Sequence, residues 1–304
     1  MTEEATVSGA TGEERRGFEA SDGVRLTYWL RRCGRADAPL MALIHGGASN
    51  HTRWSELLAV TRLTERWDSL RPDMRGNGAS MTRGRLDRSV WCRDLIETLD
   101  DAGYRRALFI GHSLGAQIAI DLASAHPARC LGLVLIDPPF REAASGRRLR
   151  QVQMAPLSLP LVGLLRLANA LGLRRRSFPD RDLHQLDLET RRALAAADDP
   201  EELARRYTAL GPILRHMPVA NYLQQVLATV APLPPLEEID LPVLVLVSGA
   251  SSFADAEATA QQIDRFPNAR VVHIPADHWP LTERPVEVRE AIEEWVAELA
   301  APIG

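Results

Sequence analysis

The pentapeptide Gly111-His112-Ser113-Leu114-Gly115 lies between a short apolar run, Ala107 to Ile110, and a run of helical character, Ala116 to Ala125. That order reads as strand, sharp turn and helix, and it exposes the serine hydroxyl at the apex of the turn. A serine hydroxyl is a poor nucleophile at neutral pH unless a base removes its proton. The pentapeptide therefore requires a histidine elsewhere in the chain, and a group to orient that histidine.

The flanking sequence fits around such a unit. Residues 17–32 alternate apolar and polar about Ser21-Asp22-Gly23, which predicts an antiparallel hairpin. From Leu40 onward short apolar runs alternate with helical ones: Met41 to Ile44, Trp54 to Leu63, Trp67 to Leu70, Val90 to Leu99, Ala107 to Ile110 and Leu131 to Ile136. Strands that are apolar on both faces, separated by helices, predict a doubly wound, mostly parallel α/β sheet. The alternation stops at Pro138-Pro139 and resumes at Val243 to Val247, followed by a helix from Asp255 to Phe266, a strand from Val271 to Ile274 and a last helix from Val286 to Leu299.

The intervening stretch reads as helices punctuated by prolines, an inserted helical lid over 140–232. The expected organisation is a disordered tail over 1–17, a core made of 18–139 and 233–304, and this lid. From Arg141 to Arg176 the lid holds eight arginines against one acid, Glu142, interleaved with leucines. The bland expectation is an amphipathic lid whose apolar face covers the core. The alternative is a surface for acidic ligands, lipid headgroups or a partner.

Composition narrows the chemistry. All 36 basic residues are arginine, so a lysine Schiff base and a lysine-bearing phosphate loop are excluded. A net charge of -4 gives no reason to expect nucleic-acid binding. Cys33, Cys92 and Cys130 lack metal-type spacing and read as free thiols in a reducing compartment. The first residues have neither the basic start nor the apolar core of a signal peptide, and no stretch approaches the roughly 20 apolar residues of a membrane span. The expectation is a cytoplasmic protein without stable membrane insertion. Its partner would be a mostly apolar small-molecule substrate, with no metal and no cofactor.

Four motifs in register resemble those of the α/β-hydrolase superfamily, over nearly the whole chain except the lid and the tail. His45-Gly46-Gly47 resembles its H-G-x turn, Asp73-Met74-Arg75-Gly76-Asn77-Gly78-Ala79-Ser80 its D-x-R-G-x-G-x-S loop, and Gly111 to Gly115 its nucleophile elbow. Ala276-Asp277-His278-Trp279-Pro280 resembles the stretch that carries its catalytic histidine. The resemblance implies Ser113 as nucleophile, His278 as base, and the backbone N–H groups of Gly47 and Leu114 as the oxyanion hole. Of the other histidines, His45 reads as structural and His112 as pointing into the scaffold. His126 ends a helix, His273 lies in a strand, and His184 and His216 lie in the lid. His51 reads as a solvated loop residue rather than an entrance residue.

The acid departs from the pattern. The usual G-x-x-D after the strand Val243 to Val247 is here Gly249-Ala250-Ser251-Ser252. Asp137, at the end of the preceding strand, and Asp255, three residues beyond Ser252, are the candidate replacements. Asp137 could equally start a turn before Pro138, and Asp255 could equally be an N-terminal helix charge.

The resulting expectation is a serine hydrolase of carboxylic ester or lactone bonds working through an acyl-enzyme. Carbon–carbon bond hydrolysis, a cofactor-free lyase, cyclase or isomerase, and a ligand-binding receptor on the same fold remain as alternatives. The missing aspartate is the feature that favours the receptor. A serine at position 113 argues against the haloalkane dehalogenase and epoxide hydrolase branches, which would require aspartate there.

Overall fold

The structure is a computed structural model that describes residues 6–8, 12–196, 209–249, 254–276 and 279–300. Its centre is a nine-stranded sheet in the order β1-β2-β3-β5-β4-β6-β7-β8-β9 among the described residues. The strands are β1 (Thr6–Ser8), β2 (Glu13–Glu19), β3 (Arg25–Arg31), β4 (Leu40–Ile44), β5 (Asp68–Asp73), β6 (Ala107–His112), β7 (Cys130–Ile136), β8 (Val243–Ser248) and β9 (Ala269–Ile274). The first three strands and the β3–β5 pair are antiparallel, and every pairing from β5 to β9 is parallel.

The parallel strands are buried on both faces, and their side chains divide by parity. Ala42, Ile44, Phe109, Leu133, Leu135 and Val245 enter one core. Met41, Leu43, Leu108, Ile110, Val134 and Leu246 enter the other. This is the period-two alternation of a strand with a helical layer on each side. Helices α2 (Arg88–Ala102) and α3 (Leu114–Ala125) cover the first face through Trp91, Leu95, Ile118 and Leu122. The second face is covered by α1 (Ser55–Val60) and by the C-terminal helix Pro285–Ala300, through Leu57, Leu58, Val288, Ile292 and Trp295.

Two expectations change. Residues 13–17, assigned to a disordered tail, begin β2: Glu13 is buried and its carboxylate receives Nε and Nη2 of the buried Arg71 of β5. That ion pair carries the sheet edge further toward the N-terminus than the apolar alternation reveals, because a charged residue at position 13 does not read as core.

The second change concerns the segment between β7 and β8. Its described residues carry the helices α4 (Gly146–Met154), α5 (Leu159–Ala170), α6 (Leu183–Ala196), α7 (Leu210–His216) and α8 (Val219–Val230), with a non-helical stretch over 171–182. The leucines of α5 do not cover the core, since only Val162 of that helix is buried. The insert meets the core instead through α8, whose buried Asn221, Gln224 and Gln225 face the loop that follows β5, and through Asp187 of α6.

Candidate functional site

Ser113 occupies the turn between β6 and α3 with φ 52° and ψ −118°, a conformation that costs a non-glycine residue on the order of 1–3 kcal/mol. It is held there on both sides. The Ser113 N–H donates to the Ile136 carbonyl at 2.9 Å, and its own carbonyl accepts the Ala116 N–H at 2.9 Å. The two glycines of the pentapeptide are steric necessities. A Cβ at Gly111 would lie 2.4 Å from the Gly115 carbonyl oxygen, and one at Gly115 would lie 2.2 Å from that of Ile44. The helix can therefore start directly over β4 and β6, with its positive end beneath the serine.

The H-G-x turn leaves β4 beside this apex. A Cβ built on Gly46 would touch Ser113 Cβ at 3.4 Å, and one on Gly47 would meet Leu114 Cδ2 at 3.9 Å, so Gly47 and Leu114 flank the serine together. His45 is buried. Its Nδ1 donates to the Gly46 carbonyl at 2.8 Å, and its Nε2 accepts the Met74 N–H at 3.0 Å. Burial lowers its pKa to about 4, so the ring is neutral and structural.

Met74 belongs to the D-x-R-G-x-G-x-S loop, which is anchored through its charged residues. Burial alone would raise the Asp73 carboxyl, but bonds from His51 and the nearby His45 override that and hold it below the usual range. Asp73 accepts the His51 and Ala79 N–H groups at 2.8 and 2.7 Å, and His51 Nδ1 at 2.8 Å. His51 also stacks on Trp29 at 3.3 Å between ring centroids. It is thus a packed strut, not the solvated loop residue expected from sequence. Arg75 is clamped between Asp94 and Asp22.

The two acid candidates separate. Asp137 follows β7 with φ 45°, and its carboxylate accepts the Ser248 N–H and hydroxyl, both at 2.7 Å. Burial raises its pKa to about 6 against the opposing pull of those two bonds. Asp255 instead caps the helix Ala256–Ile263, accepting the Ala258 N–H at 2.8 Å. His278 and Ser252 lie outside the described residues. Trp279, the chain neighbour of His278, lines the same small cavity as Ser113 and His112.

That cavity, of about 100 Å³, adjoins one of about 280 Å³, the two sharing Ala48, Ser49 and Arg181. The larger is lined by Met81, Phe178, Ile213 and Met217 but also by Arg83 and Arg176. Burial, and then the charge of Arg174, hold the Arg83 guanidinium below its usual range. The mostly apolar substrate expected from sequence would call for an apolar wall. None of the leucines from Leu157 to Leu173 lines either cavity, Leu183 lines the smaller one, and guanidinium groups share the wall of the larger. Among the described residues no cluster of histidine, cysteine or carboxylate side chains could hold a metal.

Two contributors escaped the sequence reading. Gln225 of α8 is buried, accepts the Ala48 N–H at 2.7 Å, and donates to Asn77 Oδ1 at 3.0 Å, so it locks the H-G-x turn to the loop after β5. The signal available was Asn221, Gln224 and Gln225 on one face of an otherwise apolar helix, at i, i+3 and i+4. Arg53, at the cavity wall, pairs with Asp187 of α6 at 2.6 Å, a buried ion pair joining the helical insert to the core.

The model of the alpha/beta hydrolase family matches residues 41–291. Two curated relatives bear the name "Putative carbamate hydrolase RutD". The one from Pseudomonas savastanoi pv. phaseolicola is 34% identical over 110 residues, 36% of this chain and 42% of that protein. The one from Escherichia coli O7:K1 is 30% identical over 177 residues, 58% of this chain and 66% of that protein. The chain thus spans about four tenths to two thirds of the length of these relatives. A solved hydrolase from Pseudomonas aeruginosa PA01 superposes with a TM-score of 0.65 at 25% identity, covering 93% of this chain and 98% of that one. With the strained serine turn, its two obligatory glycines and the H-G-x turn assembled on a sheet of this order, the chain belongs to the alpha/beta hydrolase family.

Proposed function

We propose that the protein is a serine hydrolase that cleaves a carboxylic ester or lactone bond through an acyl-enzyme. The observation that carries this reading is Ser113, strained at φ 52° on the elbow and opening into a cavity beside Gly47 and Leu114. Nucleophilic attack by Ser113 Oγ on a carbonyl carbon places an oxyanion near the backbone N–H groups of Leu114 and Gly47, at the positive end of α3. His278 takes the serine proton and returns it to the leaving oxygen. Water then repeats the sequence to release the acid.

Asp137 is the acid in this reading, orienting the imidazole and stabilising the imidazolium. Its buried carboxylate, with Ser248 holding both oxygens, supports the assignment. Asp255 is occupied as a helix cap. A carboxylate at Asp137 also answers the one sequence feature that favoured a receptor without chemistry. The name carried by the curated relatives supports hydrolysis at a carbonyl centre, since a carbamate would pass through the same attack.

The wall of the larger cavity favours a small amphipathic substrate over a purely apolar one. Its body would lie against Met81, Phe178 and Ile213, and a polar or anionic end would face Arg83, Arg176 or Arg181.

Labelling with a fluorophosphonate, followed by peptide mapping, tests the nucleophile. Modification of Ser113, lost in Ser113→Ala together with turnover of short p-nitrophenyl esters, is the expected result. Label at another residue, or undiminished turnover in the variant, would overturn it.

A further inference from the structure

Helix α5 and the turns on either side of it present leucines to solvent. Leu157 is 69% exposed, Leu164 64%, Leu167 57%, Leu171 71% and Leu173 75%. At about 100° per residue, Leu159, Leu161, Leu164, Leu167 and Leu171 sweep roughly 200° of the helix circumference. A helix that seats in a protein groove uses a narrower stripe than this. A soluble chain rarely leaves so much contiguous apolar surface without a partner for it.

The charge along this segment is mostly of one sign, and the first acids after it are Asp180, which lines the larger cavity, and Asp182. From Ala143 to Pro179 the sequence contains seven arginines and no acid. Arg150, Arg174, Arg175 and Arg176 are exposed. Beside them Arg175 and Arg83 both lie over the Phe178 ring, at 4.8 and 5.6 Å from its centroid, which fixes part of the basic rim in place. A second copy of the chain fits this face poorly, because a two-fold interface sets identical patches against each other and would oppose arginine to arginine. An occupant must offer fluid apolar matter to a wide leucine face and negative charge to its rim.

We propose that α5 and its flanking turns form a docking face for an anionic lipid surface, the leucines entering the acyl boundary and Arg174 to Arg176 reaching the headgroups. Such a face lies in the interface plane, and no described helix is long and apolar enough to cross a membrane. Docking also orients the molecule. Arg176 and Phe178, at the end of the same segment, line the larger cavity, so its mouth would face the lipid. The docking face shares Arg176 with the wall of the larger cavity, but its leucines line neither cavity, and its test needs no turnover.

Flotation of the full chain with phosphatidylcholine vesicles, with and without an equal part of phosphatidylglycerol, measures it. The protein should float with the mixed vesicles, far less with phosphatidylcholine alone, and progressively less as salt is raised. Replacing Arg174, Arg175 and Arg176 by glutamine should weaken binding to the mixed vesicles on the order of 100-fold. The double variant Leu164→Asp with Leu167→Asp should abolish it while leaving thermal unfolding and fluorophosphonate labelling of the protein unchanged. Failure of the wild-type chain to float would overturn the proposal. So would flotation that survives the leucine substitutions, or sedimentation velocity showing self-association that those substitutions abolish in a chain that does not bind vesicles.

Discussion

Asp137 grips Ser248 twice, one carboxylate oxygen receiving the backbone N–H and the other the hydroxyl, each at 2.7 Å. The arrangement holds a carboxylate at the end of β7 against the last residue of β8. It is achieved at a residue with φ 45°, a region in which aspartate and asparagine are enriched among non-glycine residues.

Because burial raises the Asp137 carboxyl to about 6, its charge opposes folding. A raised folded-state pKa contributes stability that is fully present below the unfolded value, near 3.8, and is lost as pH rises through about 6. At neutral pH the loss amounts to about 3 kcal/mol. Asparagine keeps an acceptor for the Ser248 N–H without the charge. Asp137→Asn should therefore melt several degrees above wild type near neutral pH, with the gap closing toward about pH 4, while kcat/KM falls at least about a hundredfold. Asp255→Asn should lose less than about tenfold, since that carboxylate only caps a helix. A less stable and fully active Asp137→Asn would remove Asp137 from the triad.

His45 has the opposite sign. Its pKa is lowered to about 4 by burial, so it contributes stability that is present above the unfolded value of about 6.5 and lost as pH falls through about 4. In the Asp137→Asn background, where the opposing titration is gone, the melting temperature should drop steeply across that window. His45→Gln should flatten the drop. Ring-nitrogen NMR gives a direct check, because His45 should stay neutral at about pH 5. Titration near 6.5 would contradict it.

The sheet was legible because burial on both faces leaves its mark in composition. Met41 to Ile44, Leu131 to Ile136 and Val243 to Val247 are runs without a polar side chain, and they became β4, β7 and β8 nearly end to end. The elbow was legible because a strained serine between two close backbone approaches leaves only glycine at positions 111 and 115. The Glu13–Arg71 pair, the Arg53–Asp187 pair and the Gln225 bridge were not. Each is a buried polar residue whose partner lies from 58 to 177 positions away, and a polar letter at such a position looks the same as a solvated one. The direction of the α5 leucines was unreadable for a related reason, since an apolar stripe specifies that a face wants a partner and not which partner it has.

The strain at Ser113 has a measurable release. Ser113→Ala retains the β-carbon at φ 52° and ψ −118° and should keep the melting temperature within a few degrees. Ser113→Gly relieves the conformation, partly offset by the larger chain entropy of glycine in the unfolded state, and should be more stable by about 1 kcal/mol. Both should be inactive. Chemical denaturation of the two variants side by side separates backbone strain from loss of the hydroxyl, and equal stabilities would mean that the turn is unstrained.

Gln225 ties the helical insert to the H-G-x turn by accepting the N–H of Ala48, the residue after Gly47. Truncation to alanine leaves the Ala48 N–H and Asn77 Oδ1 without this partner, a loss of about 1–3 kcal/mol in stability. If Gln225 is a positioning residue, the damage should exceed stability. The oxyanion donor would be displaced from where charge develops, and kcat should fall by about 10- to 100-fold with KM little changed. Gln225→Glu keeps the acceptor for Ala48 while losing the donor to Asn77, so it should recover most of kcat and little of the stability. A Gln225→Ala enzyme with wild-type kcat, or a glutamate variant that rescues stability and not turnover, would assign Gln225 to packing alone.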